Sequence, residues 1–199
     1  MIGLLAPIAL AGLLAIALGG SPRGWTQQAV RWSPLATFSL VAQAALFFPP
    51  LDHQPWVLTW GKWLWVLSML GVLAMLVRNT RAGRGRLRIA WTVAALGVAA
   101  NILVVTVNGG AMPRTIAIAP DVSDGVEHLS NVVAVESNAP LIWLGDVIAE
   151  PDWLPRTNAV SVGDLLLSTG IAGWVFLAAF DGRQKRRLTP SAAGQGPPG

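Results

Sequence analysis

The chain has 199 residues, of which 53 % are hydrophobic and only 12 % are charged, and its formal net charge is +4. An average soluble domain has about 25 % charged residues, so this composition excludes an ordinary soluble globular protein. The absence of cysteine excludes disulfides, iron–sulfur clusters and thiolate metal sites.

Five apolar stretches have the composition of membrane-crossing helices. They cover residues 2–20, 32–48, 56–77, 89–107 and 160–180. A hydrocarbon core of about 30 Å needs about 20 apolar residues in a helix, and the second stretch only approaches this length. Backbone polar groups in lipid must be paired within each segment, and these stretches lack the alternation of barrel strands. We therefore predict an all-α membrane protein, a five-helix transmembrane bundle within residues 1–180.

The first stretch begins without any Lys or Arg, so we interpret it as a retained helix rather than a signal peptide. Small residues recur along it at Ala11, Ala15 and Gly19. Such a stripe allows another helix to approach closely, so this helix should be part of the bundle.

The charged residues between the spans are distributed by sign. Most of the 14 Lys and Arg residues follow the first, third or fifth span: Arg23, Arg31, Arg78, Arg81, Arg84, Arg86, Arg88, Arg183, Lys185, Arg186 and Arg187. Nine of the ten acids fall on the other side: Asp52, Asp121, Asp124, Glu127, Glu136, Asp146, Glu150, Asp152 and Asp164. Because cytoplasmic loops collect Lys and Arg, this pattern predicts the N-terminus outside and the C-terminus inside. The basic residues are typical of a collar on anionic lipid headgroups, so no nucleic-acid partner is expected.

Tryptophans crowd the outer half of the third span, at Trp56, Trp60, Trp63 and Trp65. This placement is typical of an interfacial aromatic belt. Lys62 lies among them, and its ammonium either reaches the interface along its stem or pairs with an outer acid such as Asp52.

Two amides lie within predicted spans, Gln43 in the second and Asn101 in the fourth. A buried amide commonly bonds to a neighbouring helix, so we interpret both as interhelical contacts. Because ionisable groups are missing from the middle of the predicted spans, the sequence argues against proton-coupled transport.

An outer loop of residues 108–159 connects the fourth and fifth spans and should be structured. Asn108, Gly109 and Gly110 should end the fourth span, because glycines reach the left-handed angles that stop a helix. The alternative is that this helix end forms a small ligand or ion site.

The rest of this loop contains two apolar patterns. The first predicts an amphipathic helix and consists of Val122, Val126, Leu129 and Val133. The second, residues 141–148, is too short to span and should pack on the outer membrane surface or in the mouth of the bundle.

Ser161 and Asp164 open the fifth span with the spacing of a capping box. Asp164 also favours the positive end of the helix, so we interpret it as a cap rather than a functional acid. After this span, residues 181–199 become poor in apolar residues and should form a disordered cytoplasmic tail.

Several residues and strings occur together in a fixed order: Gln43, Asn79, Asn101, Asn-Gly-Gly-x-Met-Pro at 108–113, His128, Leu144-Gly145-Asp146 and Ser161-x-Gly163-Asp164. In this order and spacing the chain resembles a bacterial family of small multispanning membrane proteins, catalogued as a domain of unknown function. The resemblance covers roughly residues 1–180. It implies four or five spans in a bacterial cytoplasmic membrane and no established activity.

The favoured function is a non-enzymatic bundle whose outer loop binds a protein partner, a lipid headgroup or a small ligand. The binding candidates are Asn108, Gly109, Gly110, Arg114, Asp146 and Asp164. We expect membrane lipids as partners, a protein partner or a second copy of the chain, and neither a cofactor nor a metal.

Two other functions remain open. An envelope enzyme acting on a lipid-linked substrate at the outer leaflet would use His128, Asp146 and Asp164, since acid–base catalysis needs such groups within reach of the substrate. A small oligomeric channel or facilitator would line a polar path with Gln43, Asn101 and Asn108.

Overall fold

The structure is a computed structural model, and it describes residues 2–115, 132–135, 138–150 and 159–188. These segments are mostly helical. The helices in chain order are α1 (Ile2–Ala17), α2 (Pro22–Gln27), α3 (Ser33–Leu46), α4 (Pro55–Ala82), α5 (Gly85–Val107) and α6 (Val162–Leu188).

Three of these helices are long and apolar enough to cross a membrane: α4, α5 and the part of α6 from Val162 to Asp181. The other two predicted spans are helical and apolar but shorter, with 16 residues in α1 and 14 in α3. At 1.5 Å per residue they measure about 24 and 21 Å, against about 30 Å of hydrocarbon. They end early because Gly19 turns the chain in the left-handed region after α1, and a Pro49-Pro50 pair follows α3.

Short strands make the prediction of an all-α protein wrong in the connection between α5 and α6. Strand β1 (Met112–Thr115) pairs in parallel with β2 (Val132–Val135), and β3 (Ile148–Ala149) pairs antiparallel with β4 (Ala159–Val160). The predicted amphipathic helix included Val133, which lies in β2 because the valine-rich run 132–135 favours a strand. Its other members, Val122, Val126 and Leu129, lie outside the described residues.

Helix α6 continues to Leu188, beyond the predicted end of the fifth span. The predicted tail therefore does not begin at residue 181, since Arg, Gln and Lys in residues 183–187 are good helix formers. Residues 189–199 lie outside the described part of the chain.

The helices pack in the order α1, α6, α5, α4 and α3, with the short α2 against the end of α6. We call the end where α5 stops and α6 begins the motif end, and the end where α4 stops and α5 begins the basic end.

An apolar core fills each half of the bundle. Residues of the core at the motif end are Leu46, Val57, Trp65, Val66, Met69, Val104, Val105, Met112 and Leu144, and those nearer the basic end are Ala36, Met75, Leu76, Trp91, Ala94, Ala95 and Val98.

Glycines bring α5 and α6 into backbone contact. A side chain at Gly97 would collide with the carbonyl oxygen of Gly163 and the amide of Leu167. One at Gly170 would collide with the amide of Ala94 and lie 2.7 Å from the oxygen of Ala90. The predicted small-residue stripe of α1 is used within the chain, since Ala15 is fully buried on the helix that packs against α6.

Asn79 joins two segments at the basic end. Its Nδ2 donates to the carbonyl oxygen of Arg31 at 2.8 Å and to that of Met75 at 2.8 Å. Its Oδ1 accepts from the amide of Arg31 at 2.9 Å. Since Asn79 is buried, this amide fixes the start of α3 against the end of α4.

The four tryptophans of the predicted aromatic belt differ in exposure, and the belt itself stays a prediction. Trp56, Trp60 and Trp63 are exposed on α4, but Trp65 is buried and its ring meets Phe47 edge-on at 5.8 Å. Lys62 does not pair with Asp52. The Asp52 Oδ1 instead lies 3.5 Å from the His53 Nε2. The Lys62 stem instead packs against Gly110, where an added Cβ would lie 2.9 Å from the Lys62 Cβ.

Candidate polar site at the motif end

The Asn108-Gly109-Gly110 turn ends α5 as predicted. Gly109 and Gly110 have φ angles of +70° and +89°, which only glycine adopts readily. The Asn108 Nδ2 donates to the oxygen of Val104 at 2.8 Å and to that of Pro140 at 2.9 Å. The side-chain amide of Asn108 therefore connects the end of α5 to the segment 138–150.

The Leu144-Gly145-Asp146 string docks that segment on the bundle. Leu144 enters the apolar core, and Gly145 allows contact with Pro113, whose oxygen a side chain at Gly145 would strike. The amide of Asp146 then donates to the Pro113 oxygen at 3.0 Å. Each residue of the string thus has a separate role in fixing the backbone.

Arg114 and Asp146 form an ion pair at this point. Their Nη2 and Oδ2 atoms are 3.1 Å apart, and the side chains are only 14 % and 10 % exposed. The Arg114 Nε is buried and has no hydrogen-bond partner among the residues that the structure describes. The pair is therefore largely shielded from water. Removing one partner of such a buried pair is costly, because it leaves the other charge buried and unpaired.

A third group of polar side chains opens α6. Asp164 accepts from the amide of Ser161 at 3.3 Å, and its own amide donates to the Ser161 Oγ at 2.9 Å, which confirms the predicted cap. Asn101 extends this cap across to α5. Its Nδ2 donates to Asp164 Oδ1 at 2.8 Å, and its Oδ1 accepts from Ser161 Oγ at 2.9 Å. The interhelical role predicted for Asn101 is thus confirmed.

We name these side chains the motif cluster: Asn101, Asn108, Arg114, Asp146, Ser161 and Asp164. Burial raises the pKa of Asp146 from 3.8 to about 6. The hydrogen bond from Arg114 opposes this rise, whereas the negative charge of Asp164 adds to it. The two carboxylates are therefore close enough to interact, and the site has more negative charge than Arg114 neutralises.

The other predicted site residues are not all brought together. Gln43 is half-buried on α3, which packs on α4, whereas Asn101 bonds to α6. His128 lies outside the described residues, so its predicted grouping with Asp146 and Asp164 stays a prediction. Among the residues that the structure describes, His and acidic side chains form no group of three suited to a metal.

Sequence reasoning named Asn101, Ser161 and Asp164 but did not join them. A usable signal was present, because Asn101 lies within about two turns of the end of α5 and Asp164 lies in the first turn of α6. Antiparallel packing places such positions at similar depth. The Arg114–Asp146 pair had no comparable signal, because Arg114 lies in the short strand β1 and Asp146 lies 32 residues further on, outside the named helices and strands.

The comparisons with known proteins identify a family but no characterised relative. A family model described as a family of unknown function (DUF5317) matches residues 27–176, which include the whole motif cluster. No curated protein matches the chain, and no solved structure does.

Proposed function

The chain belongs to the family of unknown function DUF5317, and on that premise we propose that it is a multi-pass membrane protein with a non-enzymatic binding platform on the outer side. The platform is the segment 138–150, held by the motif cluster. The observation that carries this proposal is that the three motif strings lie at one end of the bundle, where Asn108 bonds to Pro140 and Asp146 bonds to Pro113. These two contacts hold the segment, while Asp164 is bonded to Asn101 at the start of α6.

Membrane insertion is supported by the three long apolar helices and by the apolar surface that the shorter helices expose. We propose that α1 and α3 also cross the bilayer, with neighbouring residues, to give five spans. The basic end carries exposed arginines in residues 78–88, which favours the cytoplasmic side for this end. The N-terminus would then lie on the outer side. The membrane would be the cytoplasmic membrane of a bacterium.

Cysteine labelling tests this orientation. We expect a membrane-impermeant thiol reagent to label Gly125→Cys in intact cells and to label Arg84→Cys only after lysis, since the natural chain has no cysteine. Labelling of Arg84→Cys in intact cells with protection of Gly125→Cys would overturn the proposed orientation.

A fixed segment with a projecting aromatic ring is suited to binding. Leu144 is buried in the core, while its neighbour Trp143 is 62 % exposed on a short 3-10 helix, Ile142–Leu144. Tryptophan is enriched among the residues that dominate binding energy at interfaces. We infer that Trp143 is a principal contact for the partner, lipid headgroup or ligand of the platform.

Replacing Trp143 tests the platform directly. In cells treated with a cross-linker, we expect Trp143→Ala to lower recovery of the bound species by more than about tenfold, as for an interface hot spot. The control is Trp60→Ala, because Trp60 is equally exposed, at 61 %, but lies on α4. If the two variants recover the same species in the same amounts, the platform is not the contact surface.

The raised pKa of Asp146 favours a second candidate, an enzyme acting on a lipid-linked substrate at the outer leaflet. An acid that titrates near neutral pH suits proton transfer. Against this, Asp146 is held by Arg114, and both oxygens of Asp164 accept hydrogen bonds from Asn101 and Ser161. The proposed channel has less support, because the Asn101 amide is occupied and buried within the chain.

A further inference from the structure

An open groove runs along the bundle between α1 and α6. Its volume is about 560 Å³, within the range of about 300–1,000 Å³ for small-molecule sites. Three helices form its walls. Its lining includes Ile8, Gly12 and Ile16 of α1, Trp25 of α2, and Trp174 and Val175 of α6.

The groove surface is almost wholly apolar, and its polar atoms are already satisfied. The indole Nε1 of Trp25 donates to the oxygen of Val175 at 2.7 Å, so it needs no hydrogen bond from an occupant. Such a surface favours hydrocarbon over water. The groove is therefore suited to an aliphatic chain.

The groove reaches the basic end of the bundle. There α2 is held to the end of α6, since the amide of Ser21 donates to the oxygen of Ala179 at 2.9 Å. Arg23 is exposed on α2, two residues before Trp25 of the groove. A cation next to an apolar groove is complementary to an anionic headgroup with its acyl chain.

We propose that this groove binds one acyl chain of an anionic phospholipid from the leaflet at the basic end, with Arg23 beside the lipid phosphate. This inference depends on the membrane insertion proposed above but not on the binding platform. The chain terminus would lie near Ile8 and the glycerol near Ile16 and α2.

Photo-cross-linking of the whole protein in nanodiscs tests this site. The probe is a phosphatidylglycerol with a diazirine at the end of one acyl chain. We expect the label on the peptides that contain residues 8–16 and 174–175, rather than on exposed α3 residues such as Phe38 and Val41. Equal labelling of α3 and the groove would overturn the proposal.

A filled-groove variant supplies the matched comparison. A Cβ at Gly12 makes only ordinary contacts, 3.6 Å from Val175 Cγ1 and 3.8 Å from Trp25, so Gly12→Leu should fold and extend into the groove. We expect it to lower groove labelling about tenfold, because the chain loses its apolar contacts. Ala17→Leu, on the exposed part of α1 outside the groove, should label like the natural protein.

Three further measurements identify the occupant. Arg23→Gln should reduce labelling by phosphatidylglycerol and leave labelling by an equivalent phosphatidylcholine unchanged; an equal loss for both lipids would overturn the headgroup assignment. Covalent dimers formed by Leu13→Cys in the membrane, without groove labelling, would show a second copy there instead. Release of the protein from membranes by alkaline carbonate would overturn membrane insertion itself. Uniform labelling of a protein that stays in the membrane would overturn only the groove site.

Discussion

Replacing Gly170 with alanine is expected to destabilise the protein by about 1–3 kcal/mol, the usual cost of overpacking a filled core. The added methyl would collide with the Ala94 amide and lie 2.7 Å from the Ala90 oxygen and the Ala94 Cβ. Because two of these atoms belong to the backbone, α5 and α6 would have to move apart. The move would also strain the bonds from Asn101 to Ser161 and Asp164 at the motif end.

Gly173→Ala is the matched control on the same helix. Its Cβ would lie 3.7 Å from the Ala90 Cβ, an ordinary contact, so the better helix propensity of alanine should leave stability equal or slightly higher. Thermal unfolding in detergent can be followed by tryptophan fluorescence, since the ring centroids of Trp91 of α5 and Trp174 of α6 are 5.2 Å apart. Equal melting temperatures for the two variants would show that α5 and α6 are not in backbone contact.

The helices could be predicted from the sequence because each apolar run is continuous and lacks the alternation of a strand. Their ends could not, since the ends depend on local backbone chemistry. Gly19 and the Pro49-Pro50 pair shorten α1 and α3, whereas the basic residues after Asp181 continue α6. Hydropathy therefore predicts where the chain is apolar, which is a different quantity from where it is helical.

The candidate site also has features that the sequence predicts and features that it does not. The cap by Ser161 and Asp164 and the stop at Gly109 and Gly110 are local, so spacing alone predicts them. The Arg114–Asp146 pair depends on the short strand β1 meeting the segment 138–150, and no periodicity in the sequence encodes that contact. Strand β2 was missed because valines at helical spacing also fit a strand once Met112–Thr115 is available to pair.

Arg114→Met is expected to destabilise the protein by about 3 kcal/mol, because removing one partner of a buried ion pair leaves the other charge unpaired. Asp146 would then remain buried beside Asp164 without the Arg114 hydrogen bond that now opposes the rise of its pKa. The double variant Arg114→Met with Asp146→Leu removes both charges and should recover much of the loss. Chemical unfolding in detergent gives the free energy of unfolding of the natural protein, the single variant and the double variant.

The pH dependence separates this electrostatic cause from lost packing. The pKa of Asp146 is about 6 in the folded protein and 3.8 ordinarily, so between these values the folded state keeps a proton that the unfolded state releases. Stability from this group is therefore full below about pH 3.8 and falls as pH rises through about 6. In Arg114→Met the folded pKa should rise further, which extends this fall to higher pH, and acid should narrow its deficit against the natural protein. Asp146→Asn should abolish this slope. A deficit of Arg114→Met that stays constant from pH 4 to 8 would mean that Arg114 acts by packing alone, and the charged centre of the motif cluster would lose its basis.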